Sequence, residues 1–454
     1  MIKRKIGCLL VGFMLVIGTV ACGPRGDNNQ PVEIADADVT AKISVSILMD
    51  AGEKLMFTEA IKEFNKIYKN VTVELKQISS YESNIMNVIN SGEQLDVLHV
   101  SDSYVSYFAG ENVLENLEPY IAAKGFRQEN GFDRSLYYDS MIRLGQLNFN
   151  GDQYMMPRDY SKIVTYWNKG MFDQYGIVKR PSMDWTWSDF LEVCEELSEK
   201  IPSNYIPLEA SMEYAVLNYA ILASNGVDSY LDDELQIRDD AEFKSNLLTG
   251  MNMAKNVVTS GYALAPEVFA PGDFFRKTAA MAFDVRPAFS KYANTSQGID
   301  FQVVPFPQIG APETAKIPAG TSGFGIYKGS KNKSVAWAFI NFIMSYEGQK
   351  TISEAGNVVP ALKELAEDEN AGWKTLKNGV GNKVDHDVFV KHSDRDAVPD
   401  FFGATPALAM PMYKGAWSEF CSNYFNGKKD FDEAFTDLKK AVKDIKTYYP
   451  EYFE

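Results

Sequence analysis

Histidine is nearly absent from this chain, with three in 454 residues, and cysteine is scarcely commoner at four. So few imidazoles and thiols leave little to build a zinc centre from. "VDHDVFVKHSDRD" carries two of the three histidines without the i, i+4 pair of a zinc-protease helix, and "NFNGDQY" fits a calcium loop only loosely. No metal and no cofactor is expected. Positive charge is also short, with 45 Lys and Arg against 61 Asp and Glu for a formal charge of −16. That argues against nucleic acid as a partner, because each phosphate neutralised needs a cation beside it. Internal repeats are missing, which sets aside solenoid architectures.

Long apolar runs are missing as well, except at the start. Lys3, Arg4 and Lys5 precede an apolar stretch from Ile6 to about Val20, and Thr19-Val20-Ala21-Cys22 closes it. That order reads as a secretory signal over 1–21, short of the about 20 apolar residues of a comfortable membrane span. Losing Lys3, Arg4 and Lys5 takes the formal charge from −16 to −19. The residues before Cys22 resemble the bacterial lipoprotein box, with Thr19 where leucine is usual. The resemblance implies acylation of Cys22, whose diacylglyceryl group exceeds the single chain that binds membranes only marginally. Residues 22–41 then form a lipidated N-terminus and linker, since Gly23 to Ala41 is polar and lacks hydrophobic period. Cys8 leaves with the signal, so Cys194 and Cys421 remain. A disulfide between them is possible, but Cys194 shares a helical apolar face with Phe190, Leu191, Leu197 and Ile201, and a buried thiol is expected.

From Lys42 the chain turns regular. Ile43, Val45 and Ile47 alternate as in a strand, and Phe57, Ile61, Phe64 and Ile67 mark one helix face. Val71, Val73 and Leu75 give a second strand, "YESNIMNVINSG" a helix closed by Gly92, and "LDVLHV" a third strand. Repeated βαβ units require a parallel sheet and an α/β fold, with ligand beyond the carboxyl ends of the strands. Asp50, Ser101 and Asp102 leave those ends, although either aspartate could equally cap a helix. Further strands are expected in "KIVTYW", "TAAMAFDV" and "GIDFQVVPF". A helix opened by Ser188, a long helix over "SVAWAFINFIMSYEGQKTISEAG" and an amphipathic C-terminal helix over "FDEAFTDLKKAVKDIKTYY" complete the pattern.

Four segments in this order, "QYMMPRDYSKIVTYWNKGMFDQYGI", "WTWSDF", "KTAAMAF" and "PAGTSGFGI" leading into "AWAFINFIMSYEGQKTISEAGNVVP", resemble the family 1 extracellular solute-binding proteins of ABC importers, related to maltose-binding protein. The resemblance covers essentially the whole mature chain. It implies the two-lobe periplasmic-binding-protein-like fold of type II, with 42–157 plus 323–355 as lobe 1, 158–322 plus 356–454 as lobe 2, and a ligand cleft that shuts by hinge closure. It further implies a carbohydrate ligand, an ABC permease as partner, a monomer, and a place on the cell surface, anchored by lipid to the outer face of the cytoplasmic membrane as in Gram-positive cells.

Sugars are held by carboxylates and by aromatic faces. Asp50, Asp102, Asp159 and Asp284 are candidates of the first kind, and Tyr160, Phe402, Tyr413 and Trp417 of the second. Trp167, Trp185, Trp187 and Trp337 are assigned to the core. After "AAMAF" the family commonly continues to a sugar-stacking tryptophan, whereas here Asp284-Val285-Arg286-Pro287 follows. Arg286 with Arg158 therefore suggests an acidic sugar gripped through its carboxylate, or else Arg286 pairs with Asp284 or another acid. "GTSGFG" lacks both the Gly-Lys-Ser/Thr of a phosphate loop and the order of a nucleophile elbow, so it reads as a lobe crossing where Thr321 and Ser322 offer polar groups. Two other readings stay open: a surface-anchored glycoside hydrolase using two carboxylates, and an adhesin or scaffold on the same fold.

Overall fold

The structure is a computed structural model that describes residues 32–453, apart from 295–297, 356–357 and 399–404. The expected signal peptide, Cys22 and Phe402 lie outside the described residues. The linker expected to run to Ala41 ends earlier, because Ile34 and Ala35 are buried and Val39 packs partly against the core. Apolar side chains spaced through an otherwise polar stretch are enough to pin it down.

Strands β1 (Ala41–Leu48), β2 (Val71–Ile78) and β3 (Val97–Ser101) are parallel and joined by the helices Ala51–Ile67 and Tyr81–Asn90. Val97 packs into one apolar cluster while Leu98 and Val100 pack into another. The sheet is thus covered on both faces, as parallel sheets require. Strands β4 (Met156–Pro157), β5 (Asp159–Lys162) and β6 (Val164–Asn168) then follow almost without interruption, and each belongs to a different sheet. The expected strand "KIVTYW" is broken at Ile163 by this change of sheet.

Strands β7 (Ile206–Glu209), β8 (Ala279–Asp284) and β9 (Phe301–Pro305) join β6 in a sheet of order β7-β8-β6-β9. Strand β10 (Ile317–Gly320) pairs antiparallel with β5, and after Thr321 the chain enters β11 (Ser322–Ile326), which returns to the first sheet beside β3. With β12 (Val359–Pro360) and β13 (Asp396–Ala397) the sheets are β2-β1-β3-β11-β4 and, between the crossings, β12-β5-β10-β13.

Helix starts follow their caps. Thr186, two residues ahead of the expected Ser188, opens the helix Trp187–Lys200 through a reciprocal capping box with Asp189. The long helix expected from Ser334 is two helices, Lys333–Met344 and Tyr346–Glu354. Ser345 adopts extended backbone between them and accepts from the Gly348 N–H at 3.2 Å. The C-terminal helix Phe431–Tyr448 carries its own capping box from Asp430 and Glu433. Cys194 and Cys421 are both buried free thiols, and Trp167, Trp185, Trp187 and Trp337 are all buried.

Candidate ligand-binding cleft

Strands β7 and β8 run parallel with Glu209 beside Ala282, so Glu209 and Asp284 leave the same carboxyl edge of their sheet. Asp102 leaves the carboxyl end of β3 in the other sheet. These edges open on one cavity of about 570 Å³, whose lining also takes Ser103, Glu213, Tyr214, Phe269, Phe283, Lys414 and Trp417. Lys414 and Trp417 stand three residues apart on the helix Met410–Phe425 and so share a face.

Each of the three strand-end carboxylates is held from behind. The Asp102 Oδ2 accepts the Thr321 N–H at 2.9 Å, and the Asp102 N–H donates back to the Thr321 carbonyl at 3.2 Å. Glu209 accepts the Gly272 N–H at 2.6 Å and the Phe274 N–H at 2.5 Å. Gly272 has φ of 121°, a backbone state that disfavours any side chain. Asp284 accepts the Tyr292 hydroxyl at 2.6 Å and the Val285 N–H at 2.8 Å. Burial holds the carboxyls of Asp102, Glu213 and Asp284 above their ordinary range. Tyr214 is 53% exposed and faces the cavity it lines. Its hydroxyl is pushed up to about 12, first by the surrounding protein and then by Asp102 and Asp284.

Lys414 reaches across the cleft. Its Nζ donates to the Ser103 carbonyl at 2.7 Å and lies 4.4 Å from the centre of the Tyr104 ring. Burial pushes the ammonium down to about 8, against the pull of Asp102 and Glu82. Among the described residues, no group of three or more His, Cys, Asp or Glu side chains is placed to hold a metal ion.

Of the residues expected at the site, Asp102, Asp284 and Trp417 line this cavity, and the other described ones lie elsewhere. Asp50 caps the helix Ala51–Ile67 by accepting the Glu53 N–H at 2.8 Å. Ser101 pairs with Ser322 across β3 and β11, just behind Asp102. Arg158 is buried, not ligand-facing: it donates to Glu53 and to the Asp159 Oδ2, which consumes Asp159 as well. Tyr160 is buried against Tyr138 with ring centres 4.4 Å apart, and its hydroxyl donates to Asp396 at 2.8 Å. Tyr413 is buried and donates to the Leu235 carbonyl. Thr321 holds Asp102 through its N–H and donates its hydroxyl to the Asp159 carbonyl, and the Ser322 carbonyl accepts the Arg158 N–H at 2.8 Å. Arg286 is wholly buried, its guanidinium 4.7 Å from the Phe289 ring and 5.6 Å from the Phe389 ring, with Nη2 donating to the Trp373 carbonyl at 3.2 Å. The carboxylate grip expected of Arg158 and Arg286 is therefore not available, because both guanidiniums point into packed interior.

Glu209, Glu213, Tyr214, Phe269, Phe283 and Lys414 were not anticipated. Glu209 obeys the same carboxyl-end rule that picked out Asp102, and recognising "IPLE" as a strand would have found it.

Two α/β sheets linked by crossing strands, with a cavity at their carboxyl edges, define the class of two-lobed binding proteins. The match to the family model of bacterial extracellular solute-binding proteins spans residues 54–350, and the chain belongs to that family. It is similar to the erythritol/L-threitol-binding protein of Mycolicibacterium smegmatis, 22% identical over 401 residues, 80% of this chain and 82% of the relative. It is also similar to the diacetylchitobiose binding protein DasA of Streptomyces coelicolor, 19% identical over 376 residues, 80% and 83% of the two chains. In fold it matches an ABC substrate-binding protein of Listeria monocytogenes solved with cycloalternan, with TM-score 0.69 and 20% identity over 91% of this chain and all of the other. UgpB of Mycobacterium tuberculosis, solved with glycerophosphocholine, gives TM-score 0.71 at 19% identity over 90% of this chain and 98% of that one.

Proposed function

We propose that this protein captures a sugar or oligosaccharide in the cleft and delivers it unaltered to the permease of an ABC importer. The observation that carries this reading is the composition of the cavity: carboxylates from three strand ends and from Glu213, set among the faces of Tyr214, Phe269, Phe283 and Trp417. Carboxylates accept from ring hydroxyls while aromatic faces cover the apolar side of a pyranose. The polyhydroxylated ligands named for several of the relatives support the same class.

Lobe 1 takes 42–157 plus 323–355 and lobe 2 takes 158–322 plus 356–454, with β5 and β10 as the hinge. Ligand that touches both lobes favours the shut form by its differential affinity. The protein works as a monomer, held to the outer face of the cytoplasmic membrane through acylated Cys22. Calorimetry against a panel of oligosaccharides, followed by chromatography of the released ligand, tests the capture. Saturable binding with intact ligand recovered is expected; shortened ligand would instead favour the hydrolase. Cys22→Ala should shift the protein from the membrane fraction to the culture medium.

A further inference from the structure

The cleft contains an uneven set of charges. Asp102, Glu209, Glu213 and Asp284 face it against the one cation of its described lining, Lys414, which leaves three negative charges without a counterpart. That lysine is engaged on the Ser103 carbonyl and over the Tyr104 ring. The arginines near cleft residues in sequence are engaged elsewhere, Arg158 against Glu53 and Asp159, Arg276 on Asp273, and Arg286 in its aromatic box. An incoming carboxylate or phosphate would thus meet acceptors and no uncommitted guanidinium.

The hydrogen-bonding inventory points the same way. Ionised carboxylates only accept, at up to about four lone-pair sites each, and the backbone and hydroxyl donors on Asp102, Glu209 and Asp284 take up only some of them. A ligand that satisfies them must be rich in donors, and an ammonium group brings three donors with a compensating charge. The walls agree, because Tyr214, Phe269, Phe283 and Trp417 line the cavity, and an aromatic ring attracts a cation through its quadrupole. The raised carboxyls of Asp102, Glu213 and Asp284 are what burial without enough compensating charge produces.

We propose that the cleft selects its ligand by charge: it takes a polyhydroxylated molecule bearing an ammonium group ahead of the uncharged counterpart, and it rejects one bearing a carboxylate or phosphate. This rests on the carbohydrate reading of the cleft and adds the sign of the charge that the site favours.

The test uses the purified protein on an array of matched glucose, glucosamine and glucuronate oligomers in both anomeric linkages, with calorimetry on the matched set that binds. The expected order is glucosamine, then glucose, then glucuronate, with the uronate at least about tenfold weaker than the neutral oligomer, a modest figure for an extra charge beside three of like sign. Glu213→Gln, on the half-buried turn before the helix Ala215–Ser224, should narrow the gap between amine and uronate. Asp102→Asn should narrow it as well, so that failure of one variant to fold leaves the other to decide. Any other order of the three, or an unchanged gap in both variants, overturns the charge selection while leaving sugar capture intact. Binding of none of them overturns the carbohydrate reading itself.

Discussion

Thr321 is touched by two groups of charge that behave in opposite ways. Its hydroxyl donates to the Asp159 carbonyl at 2.7 Å, within a buried cluster where Arg158 joins Asp159 to Glu53 and His99 lies alongside. Its N–H donates to Asp102, which faces the cavity. In the first group the two carboxylates share one guanidinium that contacts them both, and nothing is left over for a ligand. In the second, backbone N–H groups and a tyrosine hydroxyl do the holding, and acceptor capacity remains. The same residue types therefore serve as a brace on one side of a crossing strand and line the proposed receptor on the other. What separates them is whether the partner set closes on itself.

Breaking the brace should have the largest effect. Arg158→Met strands Glu53 and Asp159 in the interior without their cation, and removing one partner from a buried ion pair typically costs about 3–5 kcal/mol. Urea denaturation should show a loss of that size, and an unchanged midpoint would mean that the two groups do not differ as described. Acid probes the same cluster more gently. Burial, followed by the nearby charge of Arg158, pushes the His99 imidazole down to about 3. The unfolded chain takes up its proton near the ordinary value of 6.5 while the folded chain resists until about 3. The contribution of His99 is thus fully present above the unfolded value and falls as pH drops between the two, by up to about 1.4 kcal/mol per pH unit. Buried carboxyls held up by desolvation, such as Glu53, work in the opposite sense. The decisive quantity is accordingly the difference between wild type and His99→Gln, followed by denaturation from about pH 7 to about pH 5. The variant should lose less stability over that interval, and parallel curves would refute the assignment.

Much of the first sheet and some of the cavity lining could be read from the residues alone. Period-two alternation at Ile43, Val45 and Ile47, with helical spacing behind it, disclosed the parallel sheet, and that sheet's carboxyl edge pointed to Asp102. Asp284 followed from the end of "AAMAF", and Trp417 from being an aromatic able to cover the apolar side of a sugar ring. Arg158, Tyr160, Arg286 and Tyr413 were misplaced because sequence fixes the type of a side chain but not the side of the crossing to which it turns. A guanidinium beside an acid looks the same whether the pair is buried or open. Glu209 went unseen because "IPLE" is four residues long, contains a proline and shows too little alternation to announce a strand. Tyr214 sits on a turn, where periodicity carries no information about exposure to a cavity.

The receptor side is sharpened by two smaller changes. Tyr214→Ala removes an aromatic face that is already 53% exposed. It should lower ligand affinity about tenfold, the scale of one lost ring contact, and leave the denaturation midpoint nearly unmoved. A large fall in stability would move Tyr214 to the brace.

Gly320 tests the junction itself. A Cβ built there would lie 2.8 Å from the Asp102 Oδ2, inside the range that real Cβ atoms avoid. The obstacle is the end of a side chain, so the carboxylate can move aside while β10 and β5 stay paired through Gly320 and Ser161. Gly320→Ala should consequently weaken ligand binding a few-fold by tilting Asp102 off the Thr321 N–H, with about 1 kcal/mol or less lost from the fold. If the crossing strand is only a hinge, calorimetry will show unchanged affinity. If it also aims the carboxylate, combining Gly320→Ala with Asp102→Asn will cost no more than Asp102→Asn alone, because both changes then act through one group.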